Sequence, residues 1–100
     1  MKKAYLIVEL TITDPETYDT YRQQVRPLLQ AGGGEFIVRG GARIQLEGAD
    51  DAHHDQTRTV VVEFPSMDAA LSWYRSPAYQ RLKEIRDSAT VSRAFLVEGI

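Results

Sequence analysis

The sequence contains no cysteine, which excludes disulfides, thiol nucleophiles and thiolate-bound zinc or iron–sulfur centres together. The same absence fits a reducing compartment. Charge of one sign is also missing: 12 basic residues against 14 acidic ones leave a net charge of −2. Neither a nucleic-acid backbone nor an anionic membrane is favoured as a partner by such a balance. Long hydrophobic runs are absent too. The apolar stretch after Met1-Lys2-Lys3 is broken at Glu9, so no signal-peptide core forms. No segment approaches the ~20 apolar residues of a membrane helix. The expectation is a soluble cytoplasmic protein with no nucleic-acid or membrane partner and no cofactor. Against these absences stand 43% apolar and 26% charged residues in 100 positions, the composition of one globular domain over residues 1–100.

Ala4–Thr13 (AYLIVELTIT) is rich in β-branched and aromatic residues and reads as a strand. Leu6, Val8, Leu10 and Ile12 form an apolar row on one side, and Tyr5, Ile7, Glu9 and Thr11 a mixed row on the other. Asp14-Pro15-Glu16 is a helix start, with an Asp cap, Pro at the first helical position and an acid in the first turn. Tyr18, Tyr21, Val25, Leu28 and Leu29 lie on its apolar stripe, Pro27 is expected to kink it, and Gly32-Gly33-Gly34 ends it. Glu35–Arg39 is expected as the second strand, interrupted by a bulge at Gly40-Gly41 and continued by Arg43–Glu47. Residues 48–57 read as a polar surface loop and Arg58–Phe64 as the third strand. A second helical stretch begins after Pro65-Ser66 and restarts at Ser76-Pro77, so two pieces are expected. Val91–Glu98 is the last strand. Strand, helix, strand, strand, helix, strand is the split βαβ pattern: an α+β, ferredoxin-like four-stranded antiparallel sheet with its helices on one face.

Helices on one face leave the other open. Alternation places Tyr5, Ile7, Glu9, Ile37, Arg39, Val61 and Glu63 there. The apolar members are too many to leave wet as one patch, so the chain is expected to pair with a second copy through this face. Glu9, Glu63 and Arg39 then fall where a small cleft with apolar walls and polar anchors would form, or where charges merely satisfy one another. Glu9 and Glu63 are candidates for an acid–base pair, since close carboxylates raise one pKa. Arg39 stands where a bulge would re-aim a side chain toward a cavity.

Other constellations have plainer readings. Asp50, Asp51, His53, His54 and Asp55 could offer imidazole and carboxylate to zinc or nickel, but a free loop lacks the supporting shell of a metal site. A solvated loop without metal is the expectation. Tyr18, Tyr21, Trp73, Tyr74 and Tyr79 recur at helical spacing, which suits packing or the lining of an aromatic ligand site. Arg86 could anchor a carboxylate or simply favour a helix C-terminus. Gly32-Gly33-Gly34 follows a helix and does not open one, so it is no phosphate cradle.

The runs Val38-Arg39-Gly40-Gly41, Leu46-Glu47-Gly48, Glu63-Phe64-Pro65-Ser66, Ser76-Pro77-Ala78-Tyr79-Gln80, Arg86 and Val97-Glu98-Gly99, with Asp14-Pro15-Glu16, Tyr18 and Tyr21, resemble domain-of-unknown-function family 1330. The resemblance covers nearly the whole chain. It implies the dimeric α/β-barrel form of the ferredoxin-like fold and brings no established reaction. Superfamily relatives include small monooxygenases, lactone isomerases and haem enzymes. This sequence has no asparagine, which removes asparagine-dependent oxygenase chemistry, and its two histidines are adjacent in a polar loop where no helix can present them to haem. The ligand-binding set taken from these readings is Tyr5, Glu9, Arg39, Glu47, Glu63 and Tyr79. Its ligand is expected to be a small organic acid or aromatic compound, bound or converted without a cofactor. The alternative is a non-catalytic interaction or regulatory module.

Overall fold

The alternation in Ala4–Ile12 produces strand β1, whose Ala4, Leu6, Val8 and Leu10 are buried while the residues between them are half-buried. Helix α1 spans Pro15–Ala31. Asp14 caps it: its carboxylate accepts from the Thr17 amide at 3.3 Å and from the Thr17 hydroxyl at 2.6 Å. The helix continues through Pro27 to Ala31. At its end the Gly34 amide bonds to the Leu29 carbonyl and the Gly33 amide to the Gln30 carbonyl, with Gly33 at φ +87°. This is the glycine-dependent Schellman ending.

Strands β2 (Glu35–Arg39) and β3 (Thr57–Phe64) follow, then helices α2 (Met67–Tyr74) and α3 (Pro77–Ala89), then strand β4 (Thr90–Glu98). Ser66 and Ser76 cap the two helices as hydroxyl acceptors, so the second helical stretch is indeed two pieces. The strand order is β2-β3-β1-β4, with every pairing antiparallel. This computed structural model describes residues 1–48 and 57–100. The loop of Asp50, Asp51, His53, His54 and Asp55 lies outside the described residues.

Two expectations about β2 are corrected. The register shift falls between Phe36 and Val38, so the bulge is at Ile37 and not at Gly40-Gly41. One extra residue flips every later side chain to the other face. Phe36 lies opposite Val62 and Arg39 opposite Val60, on the helix-covered face; Val38 lies opposite Val61, on the open face. Arg39 therefore leaves the open face to which simple alternation assigned it. Arg43–Glu47 is no strand: residues 41–48 are exposed and irregular. The antiparallel register would set residue 42 against Thr57, the first residue of β3, so Arg43–Glu47 has no ladder partner among the described residues.

The core lies between the sheet and the helices. Phe64, Leu29 and Tyr79 are its largest fully enclosed side chains. Trp73 joins α2 to both neighbours, donating from Nε1 to the Leu28 carbonyl at 3.1 Å and stacking against Tyr79 with ring centroids 4.1 Å apart. A Cβ at Gly32 would collide with the Trp73 ring, which fixes glycine at that crossing.

Candidate functional site

Residues Tyr79, Leu82, Arg86 and Ala89 form the buried stripe of α3, at steps of three, four and three. One of them is an arginine. Arg86 is 4% exposed, and its charge is enclosed with the apolar core. Its Nη1 donates to the Tyr79 hydroxyl at 3.0 Å, two helical turns earlier, and the Tyr79 hydroxyl lies 3.0 Å from that of Tyr21 on α1. Its Nε is, among the described residues, a buried side-chain nitrogen without any hydrogen-bond partner.

The direction of this chain follows from its chemistry. A guanidinium only donates, so the Tyr79 oxygen accepts. Tyr79 is 1% exposed, and Tyr21 is the one remaining partner shown for its proton. Tyr79 therefore donates to Tyr21, and the Tyr21 proton is left to point onward. Such chains polarise each successive bond, strengthening the last donor. Trp73 and Tyr74 flank the Tyr79 ring, at 4.1 and 5.4 Å, and hold it in place.

Tyr21 and Arg86, the two residues that carry these donors, both line a cavity of about 30 Å³ between sheet and helices, walled also by Leu6, Val8, Val25, Phe36 and Val62 among others. That is room for a group the size of a few water molecules. Burial pushes the phenols of Tyr21 and Tyr79 upward, so both are neutral donors at pH 7. For Arg86, burial acts against the charge, while Tyr79, Tyr21 and Asp87 favour it and carry its value above the ordinary one. The pull of the two phenols operates only when they are ionised. At neutral pH this leaves Asp87, 3.5 Å away, 46% exposed and itself hydrogen-bonded to Lys83 at 2.6 Å. The cavity is therefore rich in donors and short of negative charge.

The structure divides the expected site residues into three places. Tyr79 and Arg39 border the cavity. Arg39 stacks over Phe36 at 4.2 Å and donates to the Arg22 carbonyl at 3.1 Å; it meets neither Glu9 nor Glu63. The bulge does re-aim it into the cleft, from two residues upstream. Tyr5, Glu9 and Glu63 stay on the open face. Glu9 pairs with Arg93 and Glu63 with Lys3, at 3.1 and 2.8 Å. Tyr5 faces Glu63 in the ladder and Glu9 faces Thr59, so the two carboxylates are roughly 13 Å apart along the strands and form no acid–base pair. Glu47 is exposed in the irregular segment. The set of six thus does not form one site. Tyr21 and Arg86 complete the cluster that the set missed, and the signal was an arginine on an otherwise apolar helical stripe.

The open face carries more apolar surface than expected. Val38, Phe95 and Val97 are 42–47% exposed on it, beside Tyr5, Ile7 and Val61. Among the described residues no helix is long and apolar enough to cross a membrane.

Element order, antiparallel sheet and helices on one face define the ferredoxin-like α+β class. Within it, the chain belongs to the family described as Domain of unknown function (DUF1330), whose pattern it matches over residues 3–100. It is similar to RPA0582, a protein of unknown function from Rhodopseudomonas palustris, with 21% identity, TM-score 0.79, and coverage of 99% of this chain and 83% of that one. It is also similar to SnoaB, a cofactor-independent oxygenase from Streptomyces nogalater, with 11% identity, TM-score 0.67, and coverage of 100% and 95%. The de novo designed protein Foldit4 shares the fold at 7% identity and TM-score 0.61, covering 98% and 99%. An oxygenase and a designed protein on one fold show that function must be argued from the site. No curated protein matches the sequence significantly.

Proposed function

We propose that this protein is a homodimeric binding domain for a small organic acid, held by its carboxylate in the cleft between helices and sheet. The observation that carries this is the enclosed Arg86 guanidinium, which has an Nε–H without a partner and no counter-charge of comparable burial among the described residues. A carboxylate would accept from that Nε–H and from the Tyr21 hydroxyl, and charge-assisted bonds of this kind are the strong ones. The apolar walls suit the carbon skeleton attached to it. The same donors would stabilise an oxyanion developing on a bound molecule, the feature by which such a cleft would support conversion without a cofactor.

The homodimer rests on the open sheet face. Glu9 and Glu63 on it are already paired within one chain, with Arg93 and Lys3, and Glu35 stands opposite Glu63 on the exposed edge strand β2, where it keeps contact with solvent. Four strands of up to nine residues span roughly 19 by 30 Å, about 570 Å², the low end of one side of a standard protein interface.

The ligand reading is tested with three probes sharing one skeleton: hexanoate, hexanamide and hexylamine. At about 100 times its dissociation constant a ligand adds ~2.7 kcal/mol of stability. Hexanoate is expected to raise the melting temperature, hexanamide to raise it less, and hexylamine to leave it unchanged. An amine effect equal to that of the acid, or no response to any short carboxylate, would refute the assignment.

A further inference from the structure

The cleft has a second cationic feature at its mouth. A hollow of about 230 Å³ shares Tyr18, Arg22, Arg39 and Val60 with the inner cavity and is bordered also by Arg58. Three guanidiniums from α1, β2 and β3 thus gather at one opening. None of them has an ion-pair partner among the described residues. Asp19, the one carboxylate on that wall among the described residues, is engaged by the Gln23 amide at 2.8 Å. Like charges this close cost free energy unless something balances them. Burial first, and then the neighbouring Arg22 and Arg26, push the Arg39 pKa below the ordinary value. The Tyr18 phenol lies within the pull of Arg39, Arg22, Arg58 and Arg86 together, although burial outweighs them and raises it. Inner and outer cations therefore line two adjoining spaces that share four wall residues.

The two compartments differ in kind. The inner one has room for little more than a carboxylate, between Arg86 and apolar walls. The outer one is wider and meets solvent at exposed Arg22, Arg39 and Arg58. Planar, fork-shaped guanidiniums at both ends suit carboxylate recognition better than point charges would. We infer that the ligand of this cleft is a dicarboxylate, with one carboxylate on Arg86 and the Tyr21 hydroxyl and the other on Arg22 and Arg39, assisted by Arg58. This rests on the reading of the inner cavity as a carboxylate site and names its substrate class.

The test is calorimetric titration of the wild-type protein with dicarboxylates from succinate to suberate, each against the monocarboxylate of equal carbon number, such as adipate against hexanoate. The best-fitting diacid is expected to bind at least about tenfold tighter than its monoacid, and that advantage should shrink as salt rises from about 20 to 500 mM. In R22M/R39M the ratio of the two affinities should collapse toward one. In R58Q, altered at an exposed position with no packing role, it should fall partway. Monoacids that bind as well as every diacid would overturn this inference and leave the inner carboxylate site standing. Binding of neither would overturn both.

Discussion

Arg86→Met is expected to raise the melting temperature of the ligand-free protein while abolishing its response to hexanoate. Taking a guanidinium out of water costs several kcal/mol. Against that cost, Arg86 gains one hydrogen bond to Tyr79, where charged hydrogen bonds contribute about 1.5–3 kcal/mol, and a 3.5 Å ion pair with half-exposed Asp87, worth roughly 0–1 kcal/mol. Its Nε–H gains nothing. Methionine keeps the packing of the long stem, and the Tyr79 hydroxyl keeps its donation to Tyr21. The balance favours the variant by about 1 kcal/mol or more, which for a domain this size is roughly 4–8 °C. A gain in stability with loss of binding is the signature of a residue kept for function. A melting curve several degrees lower, with hexanoate still effective, would assign Arg86 to the scaffold instead.

A second large effect is expected at the open face. Ile7 and Phe95 oppose each other across β1 and β4, near the middle of the apolar patch. In I7D/F95D, pairing two copies would bury four new carboxylates without partners. At even ~4 kcal/mol of total cost the dimer dissociation constant rises about a thousandfold. Light scattering at micromolar concentration should give twice the 11.3 kDa chain mass for the wild type and the single chain mass for the variant. Circular dichroism should be unchanged, because the core lies on the other side of the sheet. A wild-type protein already monomeric at that concentration would contradict the homodimer.

The fold was legible because its signals are local. The apolar row Leu6, Val8 and Leu10, the caps Asp14, Ser66 and Ser76, and the Gly33 helix ending each declare themselves within a few residues. The site was only partly legible. Arg39 could be named as a residue that a bulge re-aims, but the bulge position depends on which β3 residues face β2, and spacing within β2 cannot report that. One residue of error moved Arg39 to the wrong side of the sheet and produced an apparent cluster with Glu9 and Glu63. Arg43–Glu47 was expected as strand from alternation alone, which marks a segment fit to pair but does not report a partner, and among the described residues it has none. Arg86 was visible as a charge among Tyr79, Leu82 and Ala89. That it meets Tyr79 and Tyr21 at one cavity required the packing of α1 against α3, a contact between residues 58 positions apart.

Among the described residues the enclosed Arg86 Nε–H has no hydrogen-bond acceptor, and proton–nitrogen correlation spectra of arginine side chains read that atom directly. On titration with hexanoate, the Arg86 Nε–H signal, assigned by its loss in R86M, is expected to move downfield and to saturate with a dissociation constant at or below about 1 mM. The other arginine signals should move less. An Arg86 signal that holds its position at saturating concentrations of hexanoate and of adipate would contradict the account.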